Sequence, residues 1–290
     1  MAGMGHAADE ITPFLKARRA SLDATALGLP DGIARRRVRG LRREEVAQLA
    51  GISVDYYTRI EQGRAPAISD AVIDAIARAL RLNRDERAFL RNITLPRRRA
   101  DGEICHAGAE PRPPVRPQIR ELLDAMGESV PAVVYGPGMD MLAWNRLGGR
   151  LAFDVESLPE EERNTARLVF LHPEARAVYP DWEDVAEGVV ATLRSEIGQR
   201  VGQARVQRVV CDLKDGSEVF RRMWEAQTVR ELNLGVKRIR NAEVGELVVT
   251  FESFPLPTDP GQRLCTYTAP SGSAAETKLR AFAEKILDRV

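Results

Sequence analysis

At 290 residues the chain has material for about two domains of ordinary size, and 44% apolar with 29% charged residues is the composition of a folded globular protein. That excludes a disordered or collagen-like polymer. No apolar run approaches the roughly 20 residues of a membrane span, so no membrane partner is expected.

The N-terminus lacks the basic-then-apolar layout of a secretory signal, which points to the cytoplasm. Cys105, Cys211 and Cys265 are odd in number, far apart and outside any CxxC pair. Three inert thiols are therefore expected, with neither a disulfide framework nor a structural metal site. The net charge of +1 conceals a division. Residues 1–100 carry 19 Arg and Lys against 12 Asp and Glu, whereas the remainder carries 24 against 30. The first part has the sign of a partner for a polyanion.

From Glu10 to about Leu22, Ile11, Phe14 and Leu15 recur at helical spacing and predict a first helix. A Gly- and Pro-containing loop and the basic run Arg35, Arg36, Arg37, Arg39 follow. Arg42 to Ala50 predicts a second, short helix closed by Gly51, a residue that enters the left-handed conformation cheaply. Ser53 is a good N-cap for a third helix from Val54 to Gln62, stopped by Gly63. A fourth is expected from Ser69 to about Leu82 with Val72, Ile73, Ile76 and Leu80 inward. The fifth begins at Asn83, where Glu86 completes a capping box, and buries Phe89, Leu90 and Ile93. Residues 1–95 thus read as an all-α five-helix domain, and the Pro- and Arg-rich tract 96–116 as a linker.

Beyond it, residues 117–290 change character. A helix is predicted from Gln118 to Met126, then strands over 131–136 and 139–144 joined at Gly136-Pro137-Gly138. A mostly helical block runs from Asn145 to about Trp224; within it, 181–197 carries Trp182, Val185, Val189 and Leu193 on one face. Strands over 229–240, 246–254 and 263–268 and a closing helix over 273–287 complete the chain. The expectation is a two-domain α+β protein whose second domain is built on a single sheet.

The tract Leu41 to Gly63, LRREEVAQLAGISVDYYTRIEQG, has the parts of a helix-turn-helix: a short packed helix, a tight turn, and a second helix with one face free for a major groove. With Tyr57 and Ile60 inward, 100° per residue turns Asp55, Arg59, Gln62 and, less centrally, Thr58 outward. Arg59 matches the two acceptors of guanine, Val54 suits a thymine methyl, and Asp55 suits either a cytosine amino group or the orientation of Arg59. Arg35, Arg36, Arg37, Arg39, Arg42 and Arg64 are expected at phosphates, which give affinity without sequence information. Glu61 is expected to be structural, since a carboxylate on the groove face would repel phosphate.

This tract resembles the helix-turn-helix of phage-repressor (XRE) type regulators, through its alanine in the first helix, Gly51-Ile52-Ser53 at the turn and Ile60-Glu61-x-Gly63 at the end. It departs at Arg43, where that family commonly has glutamine; Arg43 is then a second DNA-facing side chain. The wider stretch 35–64, with Met139-Asp-Met-Leu-Ala-Trp-Asn145, Arg163-Asn-Thr-Ala-Arg-Leu-Val-Phe170, Asp181-Trp182, Phe220-Arg-Arg-Met-Trp224 and Pro260-Gly-Gln-Arg263, is similar to the MmyB-like regulators. The resemblance runs from about Phe14 to Thr268. It implies a PAS-like second domain that binds a fatty-acid-like or other apolar ligand.

Trp144, Phe170, Trp182 and Trp224 have two readings, as core residues or as the surround of a cavity between sheet and helical block. Arg167, His172 and Tyr179 are the candidate contacts for a ligand's polar end. No GxSxG, HExxH or GxxxxGK[ST] motif occurs, and Asp212-Leu-Lys-Asp215-Gly216 is an incomplete calcium loop, so no catalytic residue, metal or cofactor is expected. The sequence reads as a homodimeric, sequence-specific transcriptional regulator of a double-stranded DNA operator, controlled by ligand through a population shift. Two other readings stay open: a second domain that is a protein-interaction or dimerisation module without a ligand, and an enzyme tethered to DNA.

Overall fold

A computed structural model of the chain describes residues 5–23, 40–65, 68–94, 112–126, 130–197, 199, 201–227, 229 and 233–287. Arg35, Arg36, Arg37, Arg39 and most of the expected linker lie outside the described residues. The chain divides into two units, one of Met1–Gly102 with Glu225–Arg230, the other of Glu103–Trp224 with Glu231–Val290.

The first unit has five helices among its described residues: α1 (Gly5–Ser21), α2 (Arg43–Ala50), α3 (Val54–Glu61), α4 (Asp70–Ala79) and α5 (Arg84–Thr94). α1 starts earlier than the predicted Glu10, because the small and polar residues before it carry no apolar period to read. Ile11, Phe14 and Leu15 are buried, and the Phe14 ring meets Phe89 edge-on with centroids 4.9 Å apart. Val46 and Ala47 from α2, Tyr57 and Ile60 from α3, and Ile73 and Ile76 from α4 complete this core. Each large apolar side chain so buried contributes roughly 1.5–3 kcal/mol.

Asn83 and Glu86 form the reciprocal cap expected of α5. The Asn83 amide donates to Glu86 Oε2 and the Glu86 amide to Asn83 Oδ1, both at 2.9 Å. Gly40 lets the chain run against α1, since a Cβ there would stand 2.6 Å from the Ala20 Cα. The next amide, of Leu41, donates to the Arg19 carbonyl at 3.0 Å.

The second unit is one antiparallel sheet with helices. In chain order its elements are α6 (Pro117–Ala125), β1 (Ala132–Tyr135), β2 (Met141–Trp144), α7 (Thr165–Leu171), α8 (Ala175–Val178), α9 (Trp182–Ile197), α10 (Gln203–Gly216), α11 (Glu218–Glu225), β3 (Leu234–Asn241), β4 (Gly245–Pro255), β5 (Arg263–Thr268) and α12 (Ala274–Leu287). The strand order is β2-β1-β5-β4-β3, the PAS-like arrangement in which the first and last strands pair at the centre. β3 begins at Leu234, later than the predicted 229, and pairs with β4 from Leu234 opposite Glu252 to Asn241 opposite Gly245.

One sheet face, with Ala132, Val134, Ala143 and Leu264, packs on Val115, Ile119 and Leu123 of α6 and the residues before it. Register puts Val133, Tyr135, Cys265, Tyr267, Phe251, Lys237 and Ile239 on the other face.

Residues 139–145 and 163–164 are tied together by buried polar groups. Asp140 takes Arg205 through both oxygens, at 2.6 and 2.7 Å, and accepts from Asn164 Nδ2 at 2.8 Å. Asn145 Oδ1 accepts from the amides of Ala132 and Gly148, at 3.0 and 2.8 Å, while its Nδ2 donates to the Val130 carbonyl at 2.7 Å. Buried polar groups need such partners, and these motif residues fix the hinge between β1 and β2. The expectation of three thiols fails: Cys211 is disulfide-bonded, while Cys265 is a buried free thiol.

Candidate DNA interface and ligand cavity

The turn between α2 and α3 follows from three residues. Gly51 takes φ 67°, and the amides of Gly51 and Ile52 return to the carbonyls of Gln48 and Ala47 at 3.2 and 3.0 Å. Ser53 then caps α3, its Oγ accepting from the Tyr56 amide at 3.2 Å. A Cβ on Gly51 would meet nothing within 4 Å, so Gly51→Ala carries only the cost of the left-handed backbone. It is expected to lower stability by about 1–2 kcal/mol in a thermal melt.

Tyr57 and Ile60 are buried in the unit, whereas Val54, Asp55 and Arg59 are exposed and Thr58 and Gln62 half-buried. Arg42 and Arg64 are exposed at either end of the motif. Behind this face lies Glu61, with no exposed surface, held by Arg19 Nε at 3.1 Å and by Arg43 Nη2 at 2.7 Å. Arg19 also donates to the Leu41 carbonyl at 2.6 Å, and Thr12 Oγ1 to the Glu61 carbonyl at 2.7 Å. This buried carboxylate ties α1, the start of α2 and the end of α3 together.

In the second unit a cavity of about 30 Å³ sits between the sheet face bearing Val133, Tyr135, Lys237, Ile239 and Tyr267 and a cover that includes Leu151, Phe153, Thr165, Leu168 and Tyr179. The Tyr135 and Tyr267 hydroxyls are 3.3 Å apart. Burial raises the pKa of all three cavity tyrosines, keeping them protonated, and lowers that of the Lys237 ammonium. A larger cleft of about 140 Å³ is lined by Thr192, Glu196, Gln199, Gln262 and Arg263, among others. Its carboxylate is already engaged, with Arg263 Nη2 at 2.6 Å and the Gly138 amide at 2.8 Å.

The family described as the MmyB-like transcription regulator ligand binding domain matches residues 115–282, more than half of the chain, and a helix-turn-helix domain family matches residues 14–90. The chain belongs to the MmyB-like transcription regulators. No individual curated protein matches it significantly. Both matched families are regulatory, one binding DNA and the other a ligand. Among the described residues of this MmyB-like regulator, no three His, Cys, Asp or Glu side chains cluster as a metal ion would require. No helix there is long and apolar enough to cross a membrane.

The seven side chains singled out for a ligand are dispersed in this regulator. Phe170, Trp182 and Trp224 belong to one aromatic cluster, with Phe170 edge-on to Trp182 at 5.7 Å and to Phe220 at 5.0 Å, and Phe220 stacked on Trp224 at 5.4 Å. Trp182 Nε1 donates to the Val169 carbonyl at 2.8 Å, and the buried Arg194 guanidinium lies 3.9 Å from the Trp224 ring centre. Trp144 is half-buried under the Arg163 guanidinium at 5.5 Å. Arg167 pairs with Asp212 at 2.6 Å. His172 Nδ1 accepts from the Glu174 amide at 3.2 Å, and its ring abuts Phe153.

Tyr179 is the one of the seven that lines the small cavity. Sequence reasoning passed over Lys237 and Tyr135 there, and Arg19 as the second clamp on Glu61. A lysine inside a β-run of a chain with only five lysines was the available signal for Lys237.

Proposed function

We propose that this DNA-binding regulator acts as a homodimer on a specific operator. In this reading Val54, Asp55, Thr58, Arg59 and Gln62 meet base edges and Arg43 reaches the groove beside them. Arg42, Arg64 and the basic run Arg35, Arg36, Arg37 and Arg39 hold phosphates. The proposed organisation is a DNA-binding domain over 1–95, a linker over 96–116 and a PAS-like effector domain over 117–290, in which an apolar, fatty-acid-like ligand shifts the population of DNA-competent dimers.

The observation that carries this reading is the division of α3, with Tyr57 and Ile60 buried and Asp55 and Arg59 presented outward. Arg43 keeps part of its guanidinium exposed while it pairs with Glu61, which orients it without removing it from the surface. Arg59→Ala is expected to cost about 1–3 kcal/mol on the preferred duplex and to relax the preference at one base position. Arg64→Ala should weaken all duplexes alike and reduce the salt slope by about one. Titrations of both variants against the selected site and a random duplex check this; an equal loss on both duplexes for Arg59→Ala would remove it from the base readers.

A dimerisation role for the second domain, alongside ligand binding, is favoured by one further observation. Leu234, Val236, Val248 and Phe254 are exposed, and register puts them on one face of β3 and β4 at the sheet edge. Exposed apolar residues on one face of the edge strand and its neighbour fit a partner of the same kind.

A further inference from the structure

The Lys237 side chain is the one cation that lines the small cavity. It projects from the edge strand β3 onto the inner sheet face and is half-buried, its ammonium 5.1 Å from the Phe251 ring centre and 5.9 Å from that of Tyr179. No carboxylate lies within ion-pair distance of it among the described residues. The ionisable group acting on it is the Cys265 thiol, which burial keeps neutral. A buried charge is ordinarily paired, and two aromatic faces recover only part of what desolvation removes. Around the same cavity stand three phenols, Tyr135, Tyr179 and Tyr267, whose protons can turn toward an acceptor. The inner face therefore offers one cation and several donors with no anion to receive them.

We propose that Lys237, with the hydroxyls of Tyr135, Tyr179 and Tyr267, is the recognition site for the carboxylate of an organic acid with an apolar body. This rests on the reading of the second domain as a ligand-binding unit and adds which end of the ligand goes where. A cavity of about 30 Å³ matches a group the size of one water or one carboxylate. Apart from Thr165, the remaining walls, among them Val133, Met141, Leu168 and Ile239, are apolar, so the rest of the ligand is apolar too. Room for it comes at Phe153, which lines the cavity yet is itself half-exposed, its ring edge-on to Tyr179 at 6.0 Å and to His172 at 4.9 Å. Displacing that one ring opens the cavity outward.

The test is calorimetric titration of the full chain with decanoate and with 1-decanol, below their micellar or solubility limits, for the wild type, Lys237→Met and Tyr267→Phe. Lys237→Met keeps the length of the side chain and removes the charge. With no ligand it should melt no lower than the wild type, because it removes a half-buried cation that has no carboxylate partner among the described residues. The expected result is that decanoate binds the wild type at least tenfold more tightly than decanol. Lys237→Met should lose at least tenfold in decanoate affinity with decanol unchanged, and Tyr267→Phe should show the same direction to a smaller extent. If Lys237→Met melts well below the wild type, the decanoate-to-decanol ratio of Tyr267→Phe decides alone. Equal affinity for both compounds, untouched by the substitutions, would overturn the head-group site and leave the apolar-ligand reading standing. Binding of neither compound would overturn both.

Discussion

Replacing Glu61 with alanine is expected to unfold the helix-turn-helix unit at temperatures where the wild type is fully folded, through a loss of about 3–5 kcal/mol. The carboxylate has no exposed surface and holds Arg19 at 3.1 Å and Arg43 at 2.7 Å. Its removal leaves Arg19 and Arg43, both only partly exposed, without their common partner and cuts the tie between α1 and the two motif helices. Breaking a buried pair from one side costs far more than the pair contributes, because the remaining charge has lost its compensation.

The exposed pair Arg91–Asp74, at 2.8 Å, sets the contrast. Asp74→Ala should change stability by no more than about 1 kcal/mol. For a unit of this size 3 kcal/mol corresponds to a shift of more than about 10 °C. Helical melting of the full chain followed by circular dichroism would show it, with operator binding lost in parallel. A shift for Glu61→Ala no larger than that for Asp74→Ala would contradict the clamp.

Gly148→Ala is expected to be as damaging in the second unit. A Cβ at this position would stand 2.2 Å from the Ala132 carbonyl oxygen and 2.9 Å from the Ala132 amide nitrogen. Those atoms belong to β1, which is paired on both sides, by β2 and β5, and cannot retreat without breaking the sheet centre. The same turn is stapled by Asn145, which bridges the amides of Ala132 and Gly148 and the Val130 carbonyl. The cost is set at about 4 kcal/mol or more, the range that core overpacking and broken buried networks reach. Gly272→Ala, at φ 75° with open space around its Cβ, should cost only about 1–2 kcal/mol. Thermal melts of the two variants separate backbone strain from collision; comparable melting points would show that the β1 approach is looser than the distances indicate.

The outward face of α3 was legible because every signal for it is local. Gly51, Ser53 and the Asn83–Glu86 box mark helix ends by their own chemistry, and a 100° step from Tyr57 suffices to place Arg59. The cavity was not legible, for a reason visible in β3. Its sequence LGVKRIRN presents Leu234 and Val236 as the apolar alternation and Lys237 as polar, which read alone turns Lys237 outward. The fold reverses this: Leu234 and Val236 are exposed while Lys237 faces in with Ile239. Register across four strands decides that orientation, and register is set by pairings more than 100 residues apart in sequence. Phe170, Trp182 and Trp224 failed to discriminate for a different reason, since core and cavity walls draw on the same residue types.

Coupling between the two units is tested most directly by the affinity of the full chain for its selected duplex, measured with and without saturating decanoate at fixed salt. A ligand that shifts the population of DNA-competent dimers must change that affinity, here by at least tenfold, about 1.4 kcal/mol of coupling. Lys237→Met should show no change at the same concentration. An unchanged affinity in wild type that calorimetry shows to be occupied by decanoate would contradict the account.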